Sequence, residues 1–176
     1  MYQEKVQVLW NHEIGPGYFR MGLACHEGYA VSMPGQFVMV RLPDRLTPLL
    51  RRPFSIHRLV RQGDTVCGIE LLYKVVGEGT RNFSQCTKGD YLDLIGPLGT
   101  GFTLSDNDRR IFMAAGGIGG APMPHAMAVS MDIWHRTSCP SAISITHLSI
   151  ANGPQAYTIS GGPPAMARSN GCVTKH

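Results

Sequence analysis

Closely spaced cysteines are missing from this chain. Its five, Cys25, Cys67, Cys86, Cys139 and Cys172, come no nearer to one another than nineteen residues. Without a C-x-x-C pair, neither a zinc ribbon nor a thioredoxin-like dithiol is expected, and no metal ligands are assigned. Charge is also sparse: Asp, Glu, Lys and Arg make up 16% of 176 residues, the formal net charge is +4, and basic residues cluster only in pairs such as Arg51-Arg52 and Arg109-Arg110. That excludes the extended basic groove of a nucleic-acid binder. No apolar run approaches the roughly 18–20 residues that cross a bilayer, so no membrane association is expected. Met1-Tyr-Gln-Glu-Lys lacks the apolar stretch of a secretory signal. The expectation is a cytoplasmic protein with reduced thiols, Cys25, Cys67 and Cys86 serving as small apolar residues on strands or a helix. What is present, 43% hydrophobic residues in a chain of this length, suffices for one large globular domain or one and a half small ones.

Short alternating segments fill the first hundred residues. Val6, Val8 and Trp10 alternate with polar residues, and Gly15-Pro16-Gly17 leads into Tyr18 to Ala24. Pro34-Gly35 precedes Gln36 to Arg41, Ser55 to Leu59 alternates again, Gly63-Asp64 turns into Cys67 to Val76, and Tyr91 to Ile95 follows. Strands this short, punctuated by Gly and Pro, predict an antiparallel β barrel or sandwich over 1–103.

The chemistry-bearing stretch is Leu71-Leu72-Tyr73-Lys74-Val75-Val76-Gly77-Glu78-Gly79-Thr80. It reads as a strand, a break at the two glycines, and a helix from Thr80 to about Cys86, capped by Thr80. A strand that hands glycines to a helix start presents backbone N–H groups and the positive helix end to a phosphate. Arg51-Arg52-Pro53-Phe54-Ser55 lies some twenty residues upstream, and a guanidinium there can reach the same anion. Two phosphate-directed devices with an aromatic and a hydroxyl between them suggest a nucleotide cofactor. Taken singly, Arg51-Arg52 reads as a solvated strand end, Tyr73 as a core aromatic, and Gly77 and Gly79 as a turn; their joint order is what points to a cofactor. Gly96-Pro97-Leu98-Gly99 reads equally well as a tight inter-domain turn and as backbone approaching a bound cofactor.

The pattern changes near residue 106. Ile111-Phe112-Met113-Ala114-Ala115 is a continuous apolar run of the kind a buried parallel strand shows. It runs into Gly116-Gly117-Ile118-Gly119-Gly120-Ala121-Pro122, a glycine loop with proline placed for a first helical turn. Strand, glycine loop and helix open an α/β nucleotide-binding unit, with Gly117 and Gly119 as candidate dinucleotide contacts. Residues 121–176 hold one leucine against thirteen before them, and four charged residues against twenty-four. They are compositionally foreign to what precedes, and no helical period is discerned beyond about Met131. A doubly wound domain needs more β-α units than fit here, so 106–176 is expected to be an incomplete α/β domain with an irregular tail, a frameshift being one account of it. His125, His135, His147 and His176 lie ten, twelve and twenty-nine residues apart, which suits surface or loop positions and no metal site.

Thr47-Pro48-Leu49-Leu50-Arg51-Arg52-Pro53-Phe54-Ser55-Ile56, the Leu71 to Thr80 run, Gly89-Asp90 to Phe102 and Gly116 to Pro122, in that order, resemble the ferredoxin-reductase-like flavoproteins. The nearest likeness, covering about residues 5–123, is to the electron-transfer subunits of NAD-dependent heteromeric dihydroorotate dehydrogenases. The resemblance implies a six-stranded FAD-binding barrel followed by a pyridine-nucleotide domain. It places FAD on Arg52, Pro53, Phe54 and Ser55 of one strand, on Leu72, Tyr73 and Lys74 of the next, and on Gly79 and Thr80 at the helix start. Arg52 then pairs with the pyrophosphate, Gly79 and Thr80 give it backbone donors, and Ser55 meets the polar edge of the flavin.

The resemblance also implies a function. Dihydroorotate is oxidised at FMN in a catalytic partner subunit, and a [2Fe–2S] cluster relays the electrons to FAD. Hydride then passes to NAD⁺ in pyrimidine biosynthesis, within a hetero-oligomer. No catalytic acid or base is required of this chain. The family's cluster takes four cysteines near the C-terminus, whereas only Cys139 and Cys172 lie downstream here, so the cluster is expected to be absent and NAD binding weak or absent. The rival readings are the small electron-transfer subunit of a sulfide dehydrogenase or flavin-dependent transhydrogenase, and a non-catalytic module that holds FAD without turnover.

Overall fold

The computed structural model describes residues 1–43, 50–103, 112–113, 115–137, 144–146 and 158–160, with backbone alone for Phe112, for 131–137 and for the last two segments. Six strands, β1 (Tyr2–Gly15), β2 (Tyr18–Ala24), β3 (Phe37–Arg41), β4 (Arg52–Gln62), β5 (Thr65–Lys74) and β6 (Tyr91–Leu98), close into an antiparallel barrel in the order β1-β2-β5-β4-β3-β6. Period-2 alternation explains the closure. Val6 and Val8 of β1, Val38 and Val40 of β3, Ile69 and Leu71 of β5, and Leu92 and Leu94 of β6 are all buried in one core, while their sequence neighbours face outward. Closure leaves no unpaired edge. Gly63 takes the left-handed φ of +60° that the two-residue turn between β4 and β5 needs.

One helix, α1 (Glu78–Ser84), joins β5 to β6. It starts two residues before the position expected from Thr80, because its N-cap is Gly77 and Thr80 sits three residues inside. The Thr80 hydroxyl nevertheless organises the start. Its Oγ1 accepts from the N–H of Val76 (2.9 Å) and of Gly77 (3.1 Å) and donates to the Gly77 carbonyl (3.0 Å). Those bonds draw Val76 out of the strand register, so β5 stops at Lys74 and not at Val76 as its apolar character predicts. A short 3₁₀ helix, Glu27–Val31, has no counterpart in the sequence reading.

Beyond the barrel, β7 (Phe112–Met113) precedes a 3₁₀ turn over Gly117–Gly120 and the helix α2 (Met123–Thr137). β7 then pairs in parallel with β8 (Ser144–Thr146), which pairs antiparallel with β9 (Thr158–Ser160). A parallel pair joined through a helix is a β-α-β connection. α2 runs six residues past Met131, the point beyond which no helical period is discerned, and β8 and β9 lie in the compositionally distinct tail. Small and flexible residues carry the helix face where leucine is missing: Ala126 is buried against Met113, with Met123 and Met127 beside them. Thr47 to Leu49, Arg109-Arg110, Cys139, His147, Cys172 and His176 lie outside the described residues, as does the expected boundary near 106.

Candidate functional site

The arginine pair has two different fates. Arg51, with its side chain only 15% exposed, donates through Nη1 to the Asp93 carbonyl at 2.9 Å and lies 3.9 Å from that residue's carboxylate. The same carboxylate holds Arg41 Nε at 2.8 Å. Arg51 is therefore tied down in the barrel wall. Arg52 is half-buried at the start of β4, and its Nη1 has the nearby Leu50 carbonyl at 3.3 Å. A guanidinium held only by a neighbouring carbonyl keeps most of its donor fork for an anion.

An aromatic cluster ties this strand start to α1. Phe54 pairs across the sheet with buried Val38, which turns it towards the core, and its ring centroid lies 5.5 Å from those of both Tyr73 and Phe83. Phe83 is three residues past Thr80, so the rings join β4, two residues past Arg52, to α1. Phe19 stacks on Tyr73 at 5.6 Å. Tyr73 is itself buried, and its hydroxyl donates to Asn11 Oδ1 at 3.1 Å; its side chain serves the core. Burial pushes its phenol above the ordinary tyrosine value, so the hydroxyl keeps the proton it donates. Pro53 is exposed, Ser55 and Leu72 are half-buried, and exposed Lys74 sits over the Tyr18 ring at 5.1 Å.

The two glycine turns leave room. A side chain built at Gly77 or Gly119 would meet no atom within 4 Å, and neither has a left-handed φ. Neither crowding nor backbone strain therefore requires glycine there, and the backbone at both turns is open to close approach. Gly117, at φ +53°, does need its conformation. Gly79 and Thr80 are buried within α1; the Arg81 N–H is the one that reaches back to the Gly77 carbonyl, at 2.9 Å. The N–H groups of Glu78, Gly79 and Thr80 thus form the helix head ahead of the first intrahelical bond. Large apolar residues flank both devices in the open: Leu50 is 71% and Val76 79% exposed.

Gly96 and Gly99 side with packing. A Cβ on Gly96 would strike Val38, one on Gly99 the Phe37 ring, and Gly99 has a φ of +79°. His125, expected at the surface, is buried on α2 with its Nδ1 unpartnered, and burial lowers its pKa.

Sequence reasoning missed His57 altogether. The β4–β5 register slips by one residue between Ile56 and Arg58, and such a bulge re-aims the side chain beside it. His57 is buried, with Nδ1 2.5 Å from the Ala121 carbonyl and Nε2 3.5 Å from Glu70 Oε1, which itself lies 3.3 Å from Arg20 Nε. A carbonyl only accepts, so Nδ1 carries the proton. Proximity to Glu70 would favour a charged ring. Burial, with smaller contributions from Arg58 and Arg20, outweighs it and the Ala121 bond, holding the pKa at about 4. Between pH 4 and the ordinary value of 6.5, the unfolded chain binds a proton that the folded chain refuses. Stability should therefore rise with pH across that window and be lost as pH falls through it, by on the order of 3 kcal/mol. Urea midpoints measured from pH 7 to pH 4 check this, and His57→Asn should flatten the slope by about one proton.

No family model matches the chain. Among curated proteins it is similar to the dihydroorotate dehydrogenase B (NAD(+)) electron transfer subunit of Desulforamulus reducens, at 41% identity over 117 residues, covering 66% of this chain and 44% of that protein. The protein of the same name from Streptococcus pneumoniae is 40% identical over 124 residues, covering 68% and 46%. The chain thus spans less than half the length of these relatives. Among solved structures, a ferredoxin NADP⁺ reductase from Neisseria gonorrhoeae with bound FAD and NADP superposes with a TM-score of 0.64 at 19% identity, covering 85% of this chain and 58% of that one. The NADH-dependent reduced ferredoxin–NADP oxidoreductase gives 0.63 at 22%, covering 82% and 47%. These likenesses establish the ferredoxin-reductase-like barrel.

Proposed function

We propose that this chain, a relative of the dihydroorotate dehydrogenase B electron transfer subunits over about two thirds of its length, is an FAD-binding electron-transfer subunit of that kind. In this reading its partner is a catalytic subunit that oxidises dihydroorotate at FMN, and its electrons go to NAD⁺ in pyrimidine biosynthesis. The observation that carries it is the division of labour in the arginine pair: Arg51 is held by Asp93, while Arg52 at the start of β4 is held only by the Leu50 carbonyl and keeps its donor fork for an anion.

The residues fit FAD. Arg52 pairs with the pyrophosphate, the helix-head N–H groups of Gly79 and Thr80 face it, and the space beside Gly77 admits the close approach. Pro53, Phe54, Ser55, Leu72, Tyr73 and Lys74 provide the walls and backbone groups along β4 and β5. Leu50 and Val76 are the apolar surface that a dinucleotide would cover, keeping water from the pairing. When bound, FAD supplies the two-electron chemistry, and the chain orients it. Gly117 and Gly119 are the candidate contacts for the nicotinamide dinucleotide. Among the described residues no group of three or more His, Cys, Asp or Glu could hold a metal, and no electron step in this reading runs through an iron–sulfur cluster.

Arg52→Ala is expected to weaken FAD by about 1.5–3 kcal/mol, roughly 10- to 150-fold in dissociation constant. Flavin fluorescence titration of the purified chain measures it, with Arg51→Ala as the contrast whose main effect is on stability. Undiminished FAD retention without Arg52 would refute the assignment. The cysteine spacing favours one second reading, a module that holds FAD without turnover. Anaerobic NADH separates the two: bleaching of the bound flavin supports the electron-transfer reading, and persistent yellow colour supports the module.

A further inference from the structure

The geometry points to His57 as a positioning residue that locks the glycine loop of the second unit onto the flavin strand, and so sets where the nicotinamide dinucleotide meets the flavin. It rests on the reading proposed above and deepens it.

His57 is two residues past Ser55 on β4, and the bulge between Ile56 and Arg58 presses it outward against the end of the Gly116–Gly120 loop. The atom it holds, the Ala121 carbonyl, belongs to the residue that closes that loop; the Ala121 N–H is bonded back to Ile118 at 3.0 Å. The next turn is fixed in the same way, with the Ala126 N–H on the Pro122 carbonyl at 3.2 Å. A single hydrogen bond from β4 therefore grips the hinge between loop and helix.

Behind the imidazole lies a buried carboxylate of the barrel wall. Glu70 is 5% exposed on β5, with its Oε1 between His57 Nε2 and Arg20 Nε. Among the described residues this oxygen accepts no hydrogen bond, and with the His57 proton on Nδ1 the Nε2 atom is itself an acceptor, so the hold on the loop rests on the Ala121 bond. His57, Glu70 and Arg20 have no role in gripping FAD in the site above. Their location is the seam where β4 meets α2, and a displacement there of an ångström would move the loop carrying Gly117 and Gly119 relative to Ser55. Small displacements at such a junction are amplified in rate.

The test uses the full chain with two substitutions. His57→Phe keeps a planar ring and removes the donor; His57→Asn sets an amide N–H close to where Nδ1 stood. Amide hydrogen exchange over residues 116–126 reports the lock directly. Exchange should quicken about tenfold in the Phe variant and return towards the parent rate in the Asn variant. FAD retention should match the parent in both. In anaerobic titrations, the NADH concentration that half-saturates flavin bleaching should rise about tenfold for Phe and recover for Asn. Unchanged exchange in the Phe variant would overturn the lock, as would FAD loss that tracks the exchange. A parent protein that holds FAD but is never bleached by NADH would refute the nicotinamide half of the proposed function, and with it the consequence for hydride transfer, while the exchange result still decides the lock.

Discussion

Phe54→Ala is expected to lower the unfolding free energy by about 3 kcal/mol and to release bound FAD with it. Both effects follow from where the ring sits. It meets Phe83 edge-on, at an interplanar angle of 78°, and Tyr73 at 59°, and such pairs contribute roughly 0.5–1.5 kcal/mol beyond area burial. Truncation also opens a cavity between β4 and α1. Phe54 is only partly buried, which places the cost at the low end of the roughly 3–5 kcal/mol for a phenylalanine in a closed core. Two urea titrations separate the consequences. The midpoint without flavin reports packing. The additional stabilisation on adding FAD reports the site, because ligand binding adds to stability only through the folded state. Phe54→Leu should recover most of the first and little of the second, since volume returns and the flat contacts to both neighbours do not. If Phe54→Ala unfolds at the parent midpoint, the aromatic cluster does not join strand to helix.

How much of this was legible beforehand divides along physical lines. Strands whose residues alternate are readable, because burial on one face is a local property of sequence. Hence the order of β1 to β6 and the helix after Gly-x-Gly-Thr were foreseeable. The helix start was misjudged by two residues because a hydroxyl can organise a turn from inside the helix as well as from its cap, and spacing alone does not separate the two. His57 was invisible for a different reason: one extra residue in β4 inverts the alternation, so a position read as part of a regular strand becomes a buried contact to a carbonyl 64 residues away. The last turns of α2 were missed because Asp132 to Thr137 hold no apolar residues at helical spacing beyond Ile133 and Trp134. The resemblance singled out Arg52, but spacing alone does not divide it from Arg51, since only the fold sets Asp93 beside Arg51.

Asn11 is the most informative long-range polar contact of this kind, and Asn11→Ala should cost about 3 kcal/mol. Its Nδ2 donates to the carbonyls of Phe83 (2.9 Å) and Cys86 (3.0 Å), and its Oδ1 accepts from the Tyr73 hydroxyl. The last carbonyls of a helix lack intrahelical partners. Here a β1 side chain 72 and 75 residues away donates to the Phe83 carbonyl, which also accepts from the Cys86 N–H at 3.0 Å, and to the Cys86 carbonyl just past the helix, so alanine removes two donors at the helix end and the acceptor of the buried Tyr73 hydroxyl at once. Tyr73→Phe removes only the third bond and should cost about 1 kcal/mol. Because the two residues share that bond, the double variant should lose less than the sum of the single losses. Strict additivity would mean the hydroxyl and the amide do not act together. Since α1 spans only seven residues, loosening its C-terminal turn cannot leave its head untouched. Asn11→Ala is accordingly expected to weaken FAD about threefold even though Asn11 lies outside the proposed cofactor contacts, as a short helix cannot buffer a lost anchor by its own propensity.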